Sequence, residues 1–476
     1  MAEFFENCRP SVCGGTVAGA VAFFGRCDYG YLHKNAFEWD AMSERLNKDT
    51  LVTNLMDARA RTIELVHGLD DDQLMGPRLD IVNPLLWEIG HLAWFHEYFV
   101  LRRIDGKDPI LPQTDKLYDS MKVHHDTRWD LELPDLHGTF QYMRAVEDAM
   151  IERLGDGEAS EDESYLYQLT VFHEDMHDEA FTYTRQTLGY PAPEFRAARD
   201  QSAPVAGAYP GDVEVPGGII ALGSRPGGVF VFDNEKWAHE IAVEPFQIAK
   251  APVTNAEFLA FVEDGGYQEE RFWEKDGWVW RESENADCPV YWRRGTDGGW
   301  GMRAFDTEVP LAPHQPVCHV SWHEAAAWCR WAGRRLPSEI EWEAAAAYGP
   351  EAGELLFEAP KSRFPWGDAI GSSTPANLDG RHTGLVDVAA YPEGDSAFGC
   401  RQMIGNVWEW TTSDFVPFPG FSVDPYDDYS KPWFGTRKVL RGGAWATRGR
   451  MISNTYRNFF TPDRRDTICG FRTCAI

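Results

Sequence analysis

Residues 165–183 read Tyr165-Leu-Tyr-Gln-Leu169-Thr-Val-Phe172-His173-Glu174-Asp175-Met176-His177-Asp-Glu-Ala180-Phe-Thr-Tyr183. Apolar side chains recur at 165, 169, 172, 176, 180 and 183, the spacing of one helix face. His173 and His177 are four apart beside that stripe, so on a helix their imidazoles stand one turn apart and look inward. Two imidazoles in this relation can chelate one metal ion. The five residues also spell H-E-x-x-H, the zinc-hydrolase helix, with Glu174 as general base. The longer form with a following xxGxxH is absent, and the local pattern leaves zinc and iron both open.

The flanking sequence repeats the helical texture. Leu51, Leu55, Ala58, Ile63, Val66 and Leu69 mark one amphipathic segment, and Phe140, Met143, Val146, Met150, Ile151 and Leu154 another. Asn83-Pro84 reads as N-cap and first-turn proline of a helix running to Arg103. Within it His91 lies among apolar residues and can offer a third nitrogen from a facing helix, as bundle cores often do. The alternative for His91 is a buried, hydrogen-bonded core histidine. Four such helices predict a four-helix bundle over 42–195, then a Pro/Ala/Gly-rich linker at 196–211. From 212 to 476 the texture changes to short strands and Gly-, Pro- and Trp-rich loops, with helices expected near 255–263 and 322–333.

The 476 residues, of which 19 are Trp, 17 Tyr and 28 Phe, suit two or three packed domains. A formal charge of −30 argues against nucleic acid and anionic membranes as partners. No apolar run reaches bilayer length, and nine cysteines without a CxxC read as reduced thiols in the cytoplasm. Residues 1–41, with Cys8, Cys13, Cys27 and an apolar run at 14–24, are expected to be a poorly ordered extension, or Met42 to be the initiator.

Gly405-Asn-Val-Trp-Glu-Trp-Thr411, Arg441-Gly-Gly-Ala-Trp445 and Gly470-Phe-Arg472 resemble blocks of the sulfatase-modifying-factor fold of formylglycine-generating enzymes. Pro252-Val-Thr-Asn255, Val320-Ser-Trp322 and the run from Gly333 to Glu343 follow in the same family order. That fold is related to C-type lectins. Its cysteine pair has no counterpart in 450–462, and Cys469 and Cys474 read as packed residues, so formylglycine chemistry is not expected. A DinB-like bundle bearing His…HxxxH, fused to this fold, resembles the EgtB family of ergothioneine-pathway sulfoxide synthases and its selenoneine-synthase branch. The resemblance covers roughly 45–476 and implies an α+β chain: DinB-like four-helix bundle, then sulfatase-modifying-factor domain.

It also implies iron(II) on His91, His173 and His177, O2 as co-substrate, and hercynine as the acceptor of sulfur or selenium at its imidazole C2. Tyr426 falls on the family's catalytic tyrosine, with packing of Tyr426 and Tyr429 as the alternative. Asn458 matches an Asn that holds the hercynine imidazole. Arg128 falls near an Arg that grips the donor's carboxylate, a surface ion pair being the alternative. In relatives of the fold the position of Glu409 binds calcium, which implies a structural Ca2+, unless Glu409 is simply a buried, hydrogen-bonded side chain. Two positions depart from the pattern. Phe459-Phe460 stands where users of γ-glutamylcysteine carry an Asp, and Met176 replaces a Gln before the last ligand. Without that carboxylate a γ-glutamyl ammonium has no partner, which favours a selenosugar, or cysteine held differently, and points with Tyr118-Asp-Ser120 and Asp126-Thr-Arg-Trp-Asp130 to the selenoneine branch. A zinc-dependent hydrolase and a non-catalytic lectin-like module are the competing readings. Oligomeric state is not legible.

Overall fold

A computed structural model describes residues 46–155, 159–198, 203–227, 230–296, 298–350, 360–368 and 375–476; the extension read at 1–41 lies outside them. The first half is helical: α1 (Lys48–Val66), α2 (Asp71–Met75), α3 (Leu85–His96), α4 (Arg103–Asp105), α5 (Thr114–Tyr118), α6 (Leu136–Leu154) and α7 (Glu161–Leu188). Helices α1, α3, α6 and α7 make the bundle, α7 packing on α1 and α3, and α6 on both of these as well. Asn47 and Asp135 cap α1 and α6 through their side chains, and Ser160 with Glu163 forms a capping box on α7.

The start of α3 differs from expectation. Pro84 occupies the N-cap position and no side chain caps it. The Asn83 amide instead reaches Glu88 and Arg128, because both are buried and need partners. At its far end α3 runs on as a π-helical turn, Glu97–Arg102, which carries Phe99 toward the second domain.

The second half holds β1 (Asp212–Val215), β2 (Gly218–Leu222), β3 (His239–Val243), β4 (Phe246–Ala249), α8 (Asn255–Glu263), α9 (Lys275–Ser283), β5 (Trp292–Arg294), β6 (Trp300–Ala304), β7 (Thr307–Pro310), α10 (Trp322–Trp331), β8 (Arg334–Arg335), α11 (Glu339–Ala347), β9 (Trp408–Asp414), β10 (Lys438–Arg441), β11 (Asn458–Phe460), β12 (Cys469–Gly470) and β13 (Cys474–Ala475). The sheets are small, in the orders β1-β4-β13-β8, β11-β10-β9-β12, β2-β3 and β5-β6-β7. In the second of these Asn458 pairs with Leu440, and Glu409 with both Arg441 and Gly470.

Helices α9 and α11 were not among the two expected in this half. The signal for α11 was present: Ser338 and Glu341 form a reciprocal capping box ahead of Glu-Ile-Glu-Trp-Glu-Ala-Ala-Ala-Ala.

The halves meet along α7. Asp175 takes a bidentate ion pair from Arg450, at 2.8 and 2.6 Å, and Glu179 accepts from Trp408 at 2.6 Å and Thr447 at 2.5 Å. Arg448 and Arg450 also reach Asp57 on α1. These satisfied, mostly buried polar contacts fix the second domain against α7, on a different face of that helix from His173 and His177.

Candidate metal centre and its surroundings

His91 from α3 and His173 and His177 from α7 are fully buried, and one ring nitrogen of each lies within 4.8 Å of the others. Ring centroids are 5.1 Å apart for His91–His173, 5.3 Å for His91–His177 and 4.6 Å for His173–His177. Among the described residues this is the one such cluster of potential ligands.

Each imidazole is oriented differently. His91 Nδ1 donates to the Tyr118 carbonyl at 2.8 Å, and His177 Nδ1 to Glu88 Oε1 at 3.2 Å. Both bonds fix the tautomer whose Nε2 carries the lone pair, the arrangement a metal-ligating histidine needs. His173 stacks on Phe95, with centroids 3.6 Å apart and rings 3° from parallel, and its buried Nδ1 has no hydrogen-bond partner. Burial first, then the neighbouring His177 and His91, holds the His173 pKa well below the ordinary histidine range. Three converging imidazoles, with a buried ring nitrogen of His173 left unpaired, fit a divalent borderline-soft cation such as iron or zinc.

Gly90 makes the His91 contact possible. A Cβ there would lie 2.2 Å from the Tyr118 ring, so only glycine lets α5 approach closely enough for its carbonyl to take the imidazole.

Glu174 does not share this space. Its carboxylate accepts from Thr62 and His96, both at 2.7 Å, and faces Arg59 at 3.3 Å. Burial alone would raise its pKa, but Arg59 and these hydrogen bonds overcome that and hold it low. A general base must reach a substrate or water; this carboxylate is spent inside the bundle, against α1 and α3.

Tyr426 sits at the seam, its ring 5.9 Å from His173 and edge-on to Phe95 at 5.0 Å and Phe99 at 5.7 Å. It lines a cavity of ≈ 530 Å³ with Trp94, Phe95, Tyr98 and Phe99. Met176, Asn458 and Phe460 meet instead around a narrow void of ≈ 10 Å³, beside Glu179, Tyr183 and Trp408. Phe459 departs from expectation: strand alternation turns it to the opposite face of β11, where it stacks on Phe415 with centroids 4.0 Å apart. It is a core residue.

Arg128 departs further. Only 1% exposed, it is no surface ion pair, and its guanidinium is engaged by Asn83, the Val123 carbonyl and the face of Trp87. Glu409 does not fit a calcium site, since Arg472 holds both its oxygens at 2.6 and 2.7 Å and Trp342 adds a third bond. The buried, hydrogen-bonded alternative describes it. The residues that sequence reasoning missed are Glu88, Asn83, Trp87 and Tyr118, which orient the ligands; the spacing of Glu88 from His91 was the available hint.

Comparison with known proteins agrees with this layout. Residues 198–475 match the sulfatase-modifying factor enzyme 1-like domain and residues 54–181 the DinB superfamily. The chain is 36% identical over 440 residues to a hercynine oxygenase of Mycolicibacterium smegmatis, covering 89% of this chain and 98% of the relative. It is 36% identical over 428 residues to the hercynine oxygenase of Mycobacterium tuberculosis, again with 89% and 98% covered. A formylglycine-generating enzyme of Streptomyces coelicolor is 34% identical over 300 residues, 56% of this chain and 88% of that one. With both domains in place and most of its length shared with these relatives, the chain belongs to the EgtB-like hercynine oxygenase family.

Proposed function

We propose that the protein is an O2-dependent oxidoreductase that joins sulfur or selenium to C2 of the hercynine imidazole, with iron(II) held by His91, His173 and His177. The observation that carries this reading is the convergence of three buried imidazoles from two helices. Iron bound there supplies activation of dioxygen. For a thiol donor the balance is donor S–H plus imidazole C2–H plus O2 giving the sulfoxide and one water.

The chain's own residues do the rest. Tyr118 and Glu88 hold two ligands in one tautomer, and the packed seam keeps bulk water from the three rings. Tyr426, beside His173, gives a proton from its phenol O–H. Asn458, with Met176 and Phe460, lines the hercynine side, where the narrow void must open to admit substrate. No carboxylate stands at 460 to receive a γ-glutamyl ammonium, which favours a selenosugar or cysteine as donor. Among the described residues no helix is long and apolar enough to cross a membrane, and all six cysteines are free, in keeping with a cytoplasmic enzyme.

The test is anaerobic loading with Fe(II), then hercynine with γ-glutamylcysteine, cysteine or a selenosugar, admission of air, and mass spectrometry. A hercynine adduct with one of these donors is expected; no adduct with any of them removes the proposal.

A further inference from the structure

Resting on the reading of the triad as a metal site, we propose that Arg128 is a positioning residue for two of the metal ligands and does not contact the donor. Its guanidinium closes two arms at once. In the first, Nη1 donates to Asn83 Oδ1 at 2.7 Å, Asn83 Nδ2 donates to Glu88 Oε1 at 3.2 Å, and the same oxygen takes His177 Nδ1 at 3.2 Å. In the second, the guanidinium lies 3.9 Å over the Trp87 ring, which stacks on His91 at 5.0 Å and 8° from parallel. Trp87 Nε1 donates to the Leu117 carbonyl at 2.6 Å, one residue before the Tyr118 carbonyl that takes His91 Nδ1.

Every member is buried: Arg128, Asn83, Glu88 and Trp87 are each 2% exposed or less. A side chain buried this deeply needs hydrogen-bond partners, and Asn83, itself held by Arg128, supplies one to Glu88. Only a planar fork can serve an amide along one edge and an indole with its face; a lysine ammonium cannot. Arg128 also lies off the wall of the cavity beside Tyr426.

The experiment titrates apo protein with Fe(II) anaerobically against a chromophoric chelator, for wild type, R128K, N83A and the double variant, with circular dichroism to confirm folding. Each single variant is expected to lose roughly 10–100-fold in iron affinity, the range for ligand-orienting partners. The double is expected to lose little more than the worse single, because both act along one chain of contacts. At saturating iron, KM for the donor stays at the wild-type value. If R128K does not fold, N83A alone decides. Wild-type iron affinity in the variants, with a raised KM for the donor, overturns the proposal. Wild-type protein that takes up no iron overturns the metal site itself, a result told apart from the first.

Discussion

Glu174 Oε2 lies 2.7 Å from Nε2 of His96, and this contact turns the glutamate of the H-E-x-x-H sequence away from the two histidines that frame it. A zinc hydrolase would need that carboxylate beside the metal. Here it balances Arg59 in the bundle interior.

Glu174→Gln is therefore expected to act on stability. Removing the charge leaves Arg59, 4% exposed, without its counter-ion, at a cost of roughly 3–5 kcal/mol. Denaturant unfolding measures the loss. The folded fraction keeps its iron and its turnover; a fully stable but inactive variant would instead restore the general-base role.

Gly90→Ala forces a methyl into the Tyr118 ring. Overpacking of this kind costs about 1–3 kcal/mol, and moving α5 withdraws the carbonyl from His91. The expected outcome is a lower Tm together with weaker iron binding, read by thermal unfolding with and without Fe(II). Equal stabilisation by iron in variant and wild type would disconnect Tyr118 from the ligand.

The helix bearing His173 and His177 was legible because a 3.6-residue period places i and i+4 together, whatever the tertiary context. His91 could be placed on a helix by its neighbours, but its convergence with the other two depends on how α3 crosses α7, which one sequence does not encode locally. Arg128 shows the opposite limit. Its type suits a carboxylate clamp, and nothing in Asp126-Thr-Arg-Trp-Asp130 tells that its guanidinium is buried against Asn83 and Trp87. Glu409 stayed open between a calcium ligand and a buried, hydrogen-bonded side chain for the same reason: its partner Arg472 is 63 residues away in sequence. Helix α11 was missed although its capping box was in view, because the alanine run has almost no amphipathic pattern.

Tyr426→Phe keeps the ring between Phe95 and Phe99 and removes the hydroxyl alone. Iron affinity is expected to stay unchanged while adduct formation slows by about 10²-fold or more, the scale of a lost proton donor. Single-turnover kinetics on iron-loaded protein measures this, and an unaltered rate would leave Tyr426 a packing residue.

Arg450→Ala leaves Asp175, which has no exposed side-chain surface, without its bidentate partner at the domain seam. A loss of about 3–5 kcal/mol is expected, with the two domains unfolding in separate steps. Differential scanning calorimetry distinguishes one transition from two; a single transition at the wild-type temperature contradicts this role for the pair.

The most direct measurement is anomalous diffraction at the iron absorption edge from crystals of Fe(II)-loaded protein grown without oxygen. One peak is expected among the side chains of His91, His173 and His177, within coordination distance of a nitrogen of each. A peak elsewhere, or one touching the α7 pair but not His91, would contradict the three-imidazole centre.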